Sequence, residues 1–173
     1  MCVSGAQTSA RWLALGAIVL AVAGLSVIGL RFHSGADSVM WLFGAVWATD
    51  IGAFAVGTGV GGPKVAPRIS PNKTWSGLMG GMACAILWSV AFQYAAPNKI
   101  GAESPAEAAI LGAVTAVVAQ AGDFGVSFAK RRFGLKDSSG LIPGHGGVLD
   151  RIAGLLTTGP GLALFLLAIN RTA

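Results

Sequence analysis

The sequence predicts an all-α integral membrane protein with about five transmembrane helices, and three observations lead there. Of 173 residues, 54% are hydrophobic and only 11% charged, against roughly 25% charged in a soluble domain. Mean hydropathy is +0.69. Five apolar runs approach the ~20 residues that cross a hydrocarbon core, at 12–30, 39–60, 78–96, 106–129 and 152–169. The breaks between them are short and rich in Gly, Pro, Ser or charge, leaving no room for a soluble domain.

The first run follows "MCVSGAQTSARW" and is read as a retained helix rather than a cleaved signal, whose apolar core would be shorter. "RFHSGAD" separates it from the second, "GGPKVAPRISPNKTW" separates the second from the third, and "PNKIGAESP" precedes the fourth. A polar stretch ending in "LKDSSGLIPGHGGVLDRIA" leads into the fifth. The 26 glycines suit closely packed membrane helices. Trp12, Trp41 and Trp75 stand near segment ends and are expected to be interfacial anchors. Cys2 and Cys84 form no CxxC pair, so neither a disulfide framework nor a thiolate metal site is suggested. One domain over 1–173 is expected.

Net charge is +5, but the basic residues occupy short connections and make no continuous polar face. Nucleic acid is therefore not an expected partner; anionic lipid head groups or phosphorylated substrates are. With a cytoplasmic N-terminus, that side receives Arg11, Lys64, Arg68, Lys73, Lys130, Arg131, Arg132, Lys136 and Arg151, and the other receives Arg31, Lys99 and Arg171. This asymmetry predicts that both dense polar loops, 61–75 and 132–151, face the cytoplasm across the cell membrane.

Two acids sit at or inside apolar runs: Asp50 in "WATDIGAF" and Asp123 in "AQAGDFG". A carboxylate at membrane depth costs about 2.5–3.5 kcal/mol even on the lenient insertion scale, so it should face a polar cavity, a cation or a partner. Asp150 opens the fifth run, where an Asp is commonly just a favourable charge on a helix N-terminus. Its neighbours strengthen a functional reading. "PGHGG" allows a tight backbone path with amides free to approach an anion, ahead of the unpaired N–H groups of a helix start. Lys130, Arg131, Lys136, His145 and Arg151 supply cationic donors for a polyphosphate, and Asp123 and Asp150 can share a divalent metal. Carboxylates, metal and basic residues together suggest phosphoryl or nucleotidyl transfer.

The span "SFAKRRFGLKDSSGLIPGHGGVLDRI" (127–152) resembles the C-terminal signature of phosphatidate cytidylyltransferases, the CDP-diacylglycerol synthases. "WATDIGAF" and "ISPNKTWSGLMGG" resemble two further stretches of that family in the same order, so the likeness is nearly continuous from residue 39 onward. It implies a membrane enzyme that condenses CTP with phosphatidic acid, releasing pyrophosphate, with Mg2+ neutralising the CTP phosphates. Carried over by position, Asp123 and Asp150 match the metal-holding acids. Lys130, Arg131, Lys136 and His145 match catalytic polar residues, as Lys73 and Thr74 of "NKTW" match substrate-site residues. Asp50, Asp137, Gly146, Gly147 and Arg151 are expected to bind substrate. The attacking lipid phosphate is already anionic, so no strong general base is required.

Three departures stand out: Ser76, Val126 and Ala153 replace carboxylates usual in the family. Family members are typically longer at the N-terminus, so a short or truncated member, one that completes itself as a homodimer, or a degenerate paralogue is implied. The rivals to the enzyme are thus a non-catalytic membrane relative and an enzyme acting on another lipid. "GTGVGG" (57–62) formally satisfies GxGxxG but runs into "PKVAP", which cannot open the helix a dinucleotide turn needs. His33 lies on the side away from the chemistry and is read as a plain loop residue.

Overall fold

The computed structural model describes residues 3–135, Ser138 and 148–170, with side chains for 11–135, Ser138, 148, 149 and 152–168. Five helices follow one another: α1 (Val3–His33), α2 (Gly35–Gly59), α3 (Trp75–Ala95), α4 (Pro105–Arg132) and α5 (Val148–Asn170). Stretches of α1, α2, α3 and α4 are long and apolar enough to span a bilayer, and α5 carries a shorter apolar stretch, Ile152–Ala168. The chain is an all-α multi-pass membrane protein, as its composition predicts.

Helices form because the apolar runs must satisfy every backbone N–H and C=O internally once in lipid. Where they stop is written in local chemistry. Ser104 caps α4, accepting from Glu107 N at 3.2 Å, with Pro105 next to it. Thr74 caps α3, accepting from Gly77 N at 3.1 Å. The α1–α2 break falls at Ser34 and Gly35, where φ is +84°. Pro160 sits inside α5 without ending it.

Successive helices pack as neighbours and α5 returns against α1, closing the ring. One end of the bundle therefore gathers the α2–α3 connection, the C-terminus of α4 and the N-terminus of α5. The start of the described side chains joins it, because Trp12 meets Phe133 edge-on at a centroid distance of 5.6 Å. At the opposite end Ser38 donates to the Lys99 carbonyl (2.7 Å) and the Gln93 amide to the Ala102 carbonyl (3.0 Å), pinning the α3–α4 connection.

Two expectations are revised. The 61–75 stretch is not an open loop: β1 (Lys64–Ala66) and β2 (Ser70–Thr74) pair antiparallel, Lys64 opposite Thr74 and Ala66 opposite Ser70. Gly61 and Gly62 enter the hairpin at φ of +66° and +113°, a region costly for any side chain. Trp41 is not an interfacial anchor. It is fully buried, its indole N–H donates to Ser89 Oγ at 3.1 Å, and its carbonyl accepts from Trp88 Nε1 at 3.0 Å. Its nearness to a segment end in sequence concealed that α2 turns this face toward α3. Trp75, by contrast, is 56% exposed.

Candidate active site

The hairpin delivers β2 onto the bundle end, and the chemistry-bearing residues meet there. A cleft of about 220 Å³ is lined by Asp50 of α2, Lys73 and Thr74 of β2, Gly77 of α3, and Gln120 and Asp123 of α4, among others. Three segments distant in the chain thus converge, each from one of the motifs "WATDIGAF", "ISPNKTWSGLMGG" and "AQAGDFG".

The centre of the cleft is an ion pair. Lys73 Nζ donates to Asp123 Oδ2 at 2.9 Å, and both side chains are about a quarter exposed. The same ammonium lies 4.5 Å from the centroid of the Phe124 ring, within cation–π range. Thr74 is 3% exposed, and its hydroxyl is committed to the α3 cap and to Ser76 Oγ at 3.0 Å. It shapes the cleft wall as the first residue before α3. Gln120, 5% exposed, donates from its amide to the Leu78 carbonyl at 3.3 Å, tying α4 to α3 beside the site.

Four expected site residues, Asp50, Lys73, Thr74 and Asp123, therefore share the cleft. Arg131 does not line it. Its guanidinium reaches the carbonyls of Ile69 (3.4 Å) and Leu135 (3.5 Å), so it links the hairpin turn to the end of α4. Lys130 stands seven residues after Asp123, about two helical turns along the same face of α4. Lys136, Asp137, His145, Gly146 and Gly147 lie outside the described residues. Asp150 and Arg151 fall in the first turn of α5, with side chains outside the described ones.

The sequence reading missed Gln120 and Phe124. Gln120 had a signal: an amide inside an apolar run, one turn before Asp123 and on its face. Phe124 had none, since one more aromatic in a membrane helix looks like packing.

The donor set is hard oxygen: two carboxylates with hydroxyl and amide groups in one cleft. Among the described residues no three His, Cys, Asp or Glu side chains come together. Two carboxylates suit Mg2+, which keeps several waters and binds through one or two carboxylates plus substrate phosphates.

The residues that replace the missing carboxylates are absorbed elsewhere. The Ser76 hydroxyl donates to the Gly61 carbonyl, securing the start of the hairpin. Ala153 is 4% exposed, and its carbonyl lies 2.8 Å from where a Cβ on Gly122 would stand, so α4 and α5 touch there backbone to backbone. Neither they nor Val126 line the cleft. The "GTGVGG" glycines close α2 and lead into the hairpin.

The sequence profile of the Cytidylyltransferase family matches residues 3–169. The chain is 44% identical over 158 residues to the phosphatidate cytidylyltransferase of Brucella suis, covering 89% of this chain and 56% of that protein. It is 39% identical over 134 residues to that of Haemophilus influenzae, covering 77% and 46%. To that of Rickettsia felis it is 36% identical over 175 residues, covering 94% and 72%. The chain thus spans about half the length of the first two relatives. With two of the family's motifs and Asp123 meeting in one cleft and a family profile matching residues 3–169, the chain belongs to the cytidylyltransferase family.

Proposed function

We propose that this chain transfers CMP from CTP to phosphatidic acid, giving CDP-diacylglycerol and pyrophosphate in phospholipid synthesis. The observation that carries the reading is the Lys73–Asp123 pair in a cleft at the end of a membrane bundle, in a chain of this family whose relatives are named for that activity. A lipid phosphate lies at the membrane surface and a nucleotide arrives from water, so the site belongs where helices meet a polar hairpin.

A phosphate oxygen of the lipid attacks the α-phosphorus of CTP, the bond to the β-phosphate oxygen breaks, and pyrophosphate leaves. Lys73 offers its ammonium to the triphosphate. Asp50 and Asp123 would hold Mg2+, with Asp150 expected to join them, and the bound ion would neutralise charge on the triphosphate. Gln120 and the Thr74 cap keep the walls in register, and Arg131 holds the hairpin over the end of α4. The excess of basic residues at this end of the bundle supports a cytoplasmic orientation in a bacterial cell membrane.

Among the described residues, Ser76, Val126 and Ala153 do not line the cleft, and the Lys73–Asp123 pair is in place without carboxylates there. The test is conversion of labelled phosphatidic acid by the purified chain in detergent with CTP and Mg2+. Product that appears only when all three are present supports the reading. A folded protein that releases no pyrophosphate with any phosphorylated lipid overturns it.

A further inference from the structure

Lys73 is held from two sides. Asp123 neutralises its ammonium at 2.9 Å, and the face of Phe124, 4.5 Å away, gives the same charge a second favourable contact. Asp123 is also one of the two carboxylates, with Asp50, that line this cleft and that a divalent cation there would use. A cation approaching that oxygen meets a resident positive charge at hydrogen-bond distance and must displace it.

We infer that Lys73 is a resident counter-cation for Asp123, parked against Phe124, which leaves the carboxylate when a triphosphate gives its ammonium a new partner. The inference rests on the proposed nucleotide chemistry and adds an order to it. The cleft resists a divalent cation alone and accepts it together with the polyphosphate. Lys73 thus serves two states: with the cleft empty it offsets a carboxylate that would be costly at this depth, and with nucleotide present it contacts phosphate. Phe124 is a positioning residue, acting through Lys73.

The arrangement predicts opposite changes in two binding reactions, which a merely structural lysine would not produce. Mn2+ alone serves as the cation probe, followed by its free-ion paramagnetic signal on the purified protein in detergent without nucleotide or lipid. CTP alone is followed by equilibrium dialysis in EDTA. Lys73→Met should tighten Mn2+ by about two- to fivefold, the range set by losing one partly exposed ion pair, and should weaken CTP. Lys73→Arg should keep Mn2+ near the parent value. Phe124→Leu, which keeps the lysine but removes its second contact, should tighten Mn2+ by a smaller factor; it decides the matter if Lys73→Met does not fold. Lys64→Met removes an equal charge from the hairpin, where the Lys64 ammonium reaches the Asn72 carbonyl at 3.5 Å, and should leave Mn2+ unchanged.

Mn2+ affinity that is unchanged or weaker in both Lys73→Met and Phe124→Leu, while Asp123→Asn abolishes binding, overturns the counter-cation role and leaves the metal reading standing. Mn2+ binding that is the same in the parent and in Asp123→Asn overturns both.

Discussion

Gly77 of α3 and Gly57 of α2 face each other with no space for a side chain: a Cβ on Gly77 would lie 3.3 Å from Gly57 Cα and 2.8 Å from the Ala53 carbonyl oxygen. Both glycines line the cleft, so the width of the site is set by the absence of two side chains. Small residues at such crossings let membrane helices approach closely where no hydrophobic drive joins them. Gly77→Val should force α2 and α3 apart and lower stability by about 1–3 kcal/mol, the usual cost of overpacking. Thermal unfolding in detergent reads the loss. A parent-like transition would mean that the helices are not in contact at this point.

Trp41 and Ser89 link the same two helices toward the opposite end of the bundle. Trp41→Ala should cost about 3–5 kcal/mol as a core truncation, and Trp41→Phe about 1 kcal/mol for the lost hydrogen bond. Were Trp41 an interfacial anchor, both variants would unfold close to the parent temperature, and the same denaturation series would show it.

Arg131 sits at the hairpin turn, away from the cleft. Arg131→Ala should leave the unfolding temperature nearly unchanged, because the side chain is exposed and its bonds are long. It should release the turn, so that trypsin cuts after Arg68 several-fold faster. Cleavage at the parent rate, together with a complete loss of turnover, would return Arg131 to the chemistry.

The sidedness proposed from the basic residues can be read with two single cysteines in a background lacking Cys2 and Cys84. Arg68→Cys in the hairpin turn should react with an impermeant thiol reagent only from the cytoplasmic face, and Ser104→Cys at the head of α4 only from the other. Labelling of both from one face would contradict the helix arrangement.

Much of this molecule was legible from residue order alone. The five helices follow from apolar length, and the positions of Asp50 and Asp123 inside such runs marked a polar cavity, since lipid leaves a carboxylate no other refuge. What escaped was pairing across the bundle. Nothing in "PKVAPRISPNKTW" signals that it folds back as a hairpin rather than trailing as a loop, because Pro63, Pro67 and Pro71 argue against strand. Two turn-region glycines and the Arg131 tie hold it instead. Trp41 was misplaced for a related reason: closeness to a segment end says nothing about which face meets a neighbour. Phe124 became meaningful only once Lys73 was seen above its ring. The stretch with Lys136, Asp137, His145, Gly146 and Gly147 lies outside the described residues, so its roles rest on resemblance to the family.

The central claim is that Asp123, paired with Lys73, stands at the reacting end of the protein, and one comparison tests it most directly. Formation of labelled CDP-diacylglycerol from CTP and phosphatidic acid is measured for the parent and for Asp123→Asn, with thermal unfolding of both recorded alongside. Asparagine keeps the side-chain size and can still accept from Lys73, so the fold should persist while the anionic oxygen is lost. The account predicts parent turnover and a drop of at least about a hundredfold in Asp123→Asn, on the scale of removing one preorganised charge-stabilising group, at an almost unchanged unfolding temperature. Equal product formation by the two proteins would contradict it.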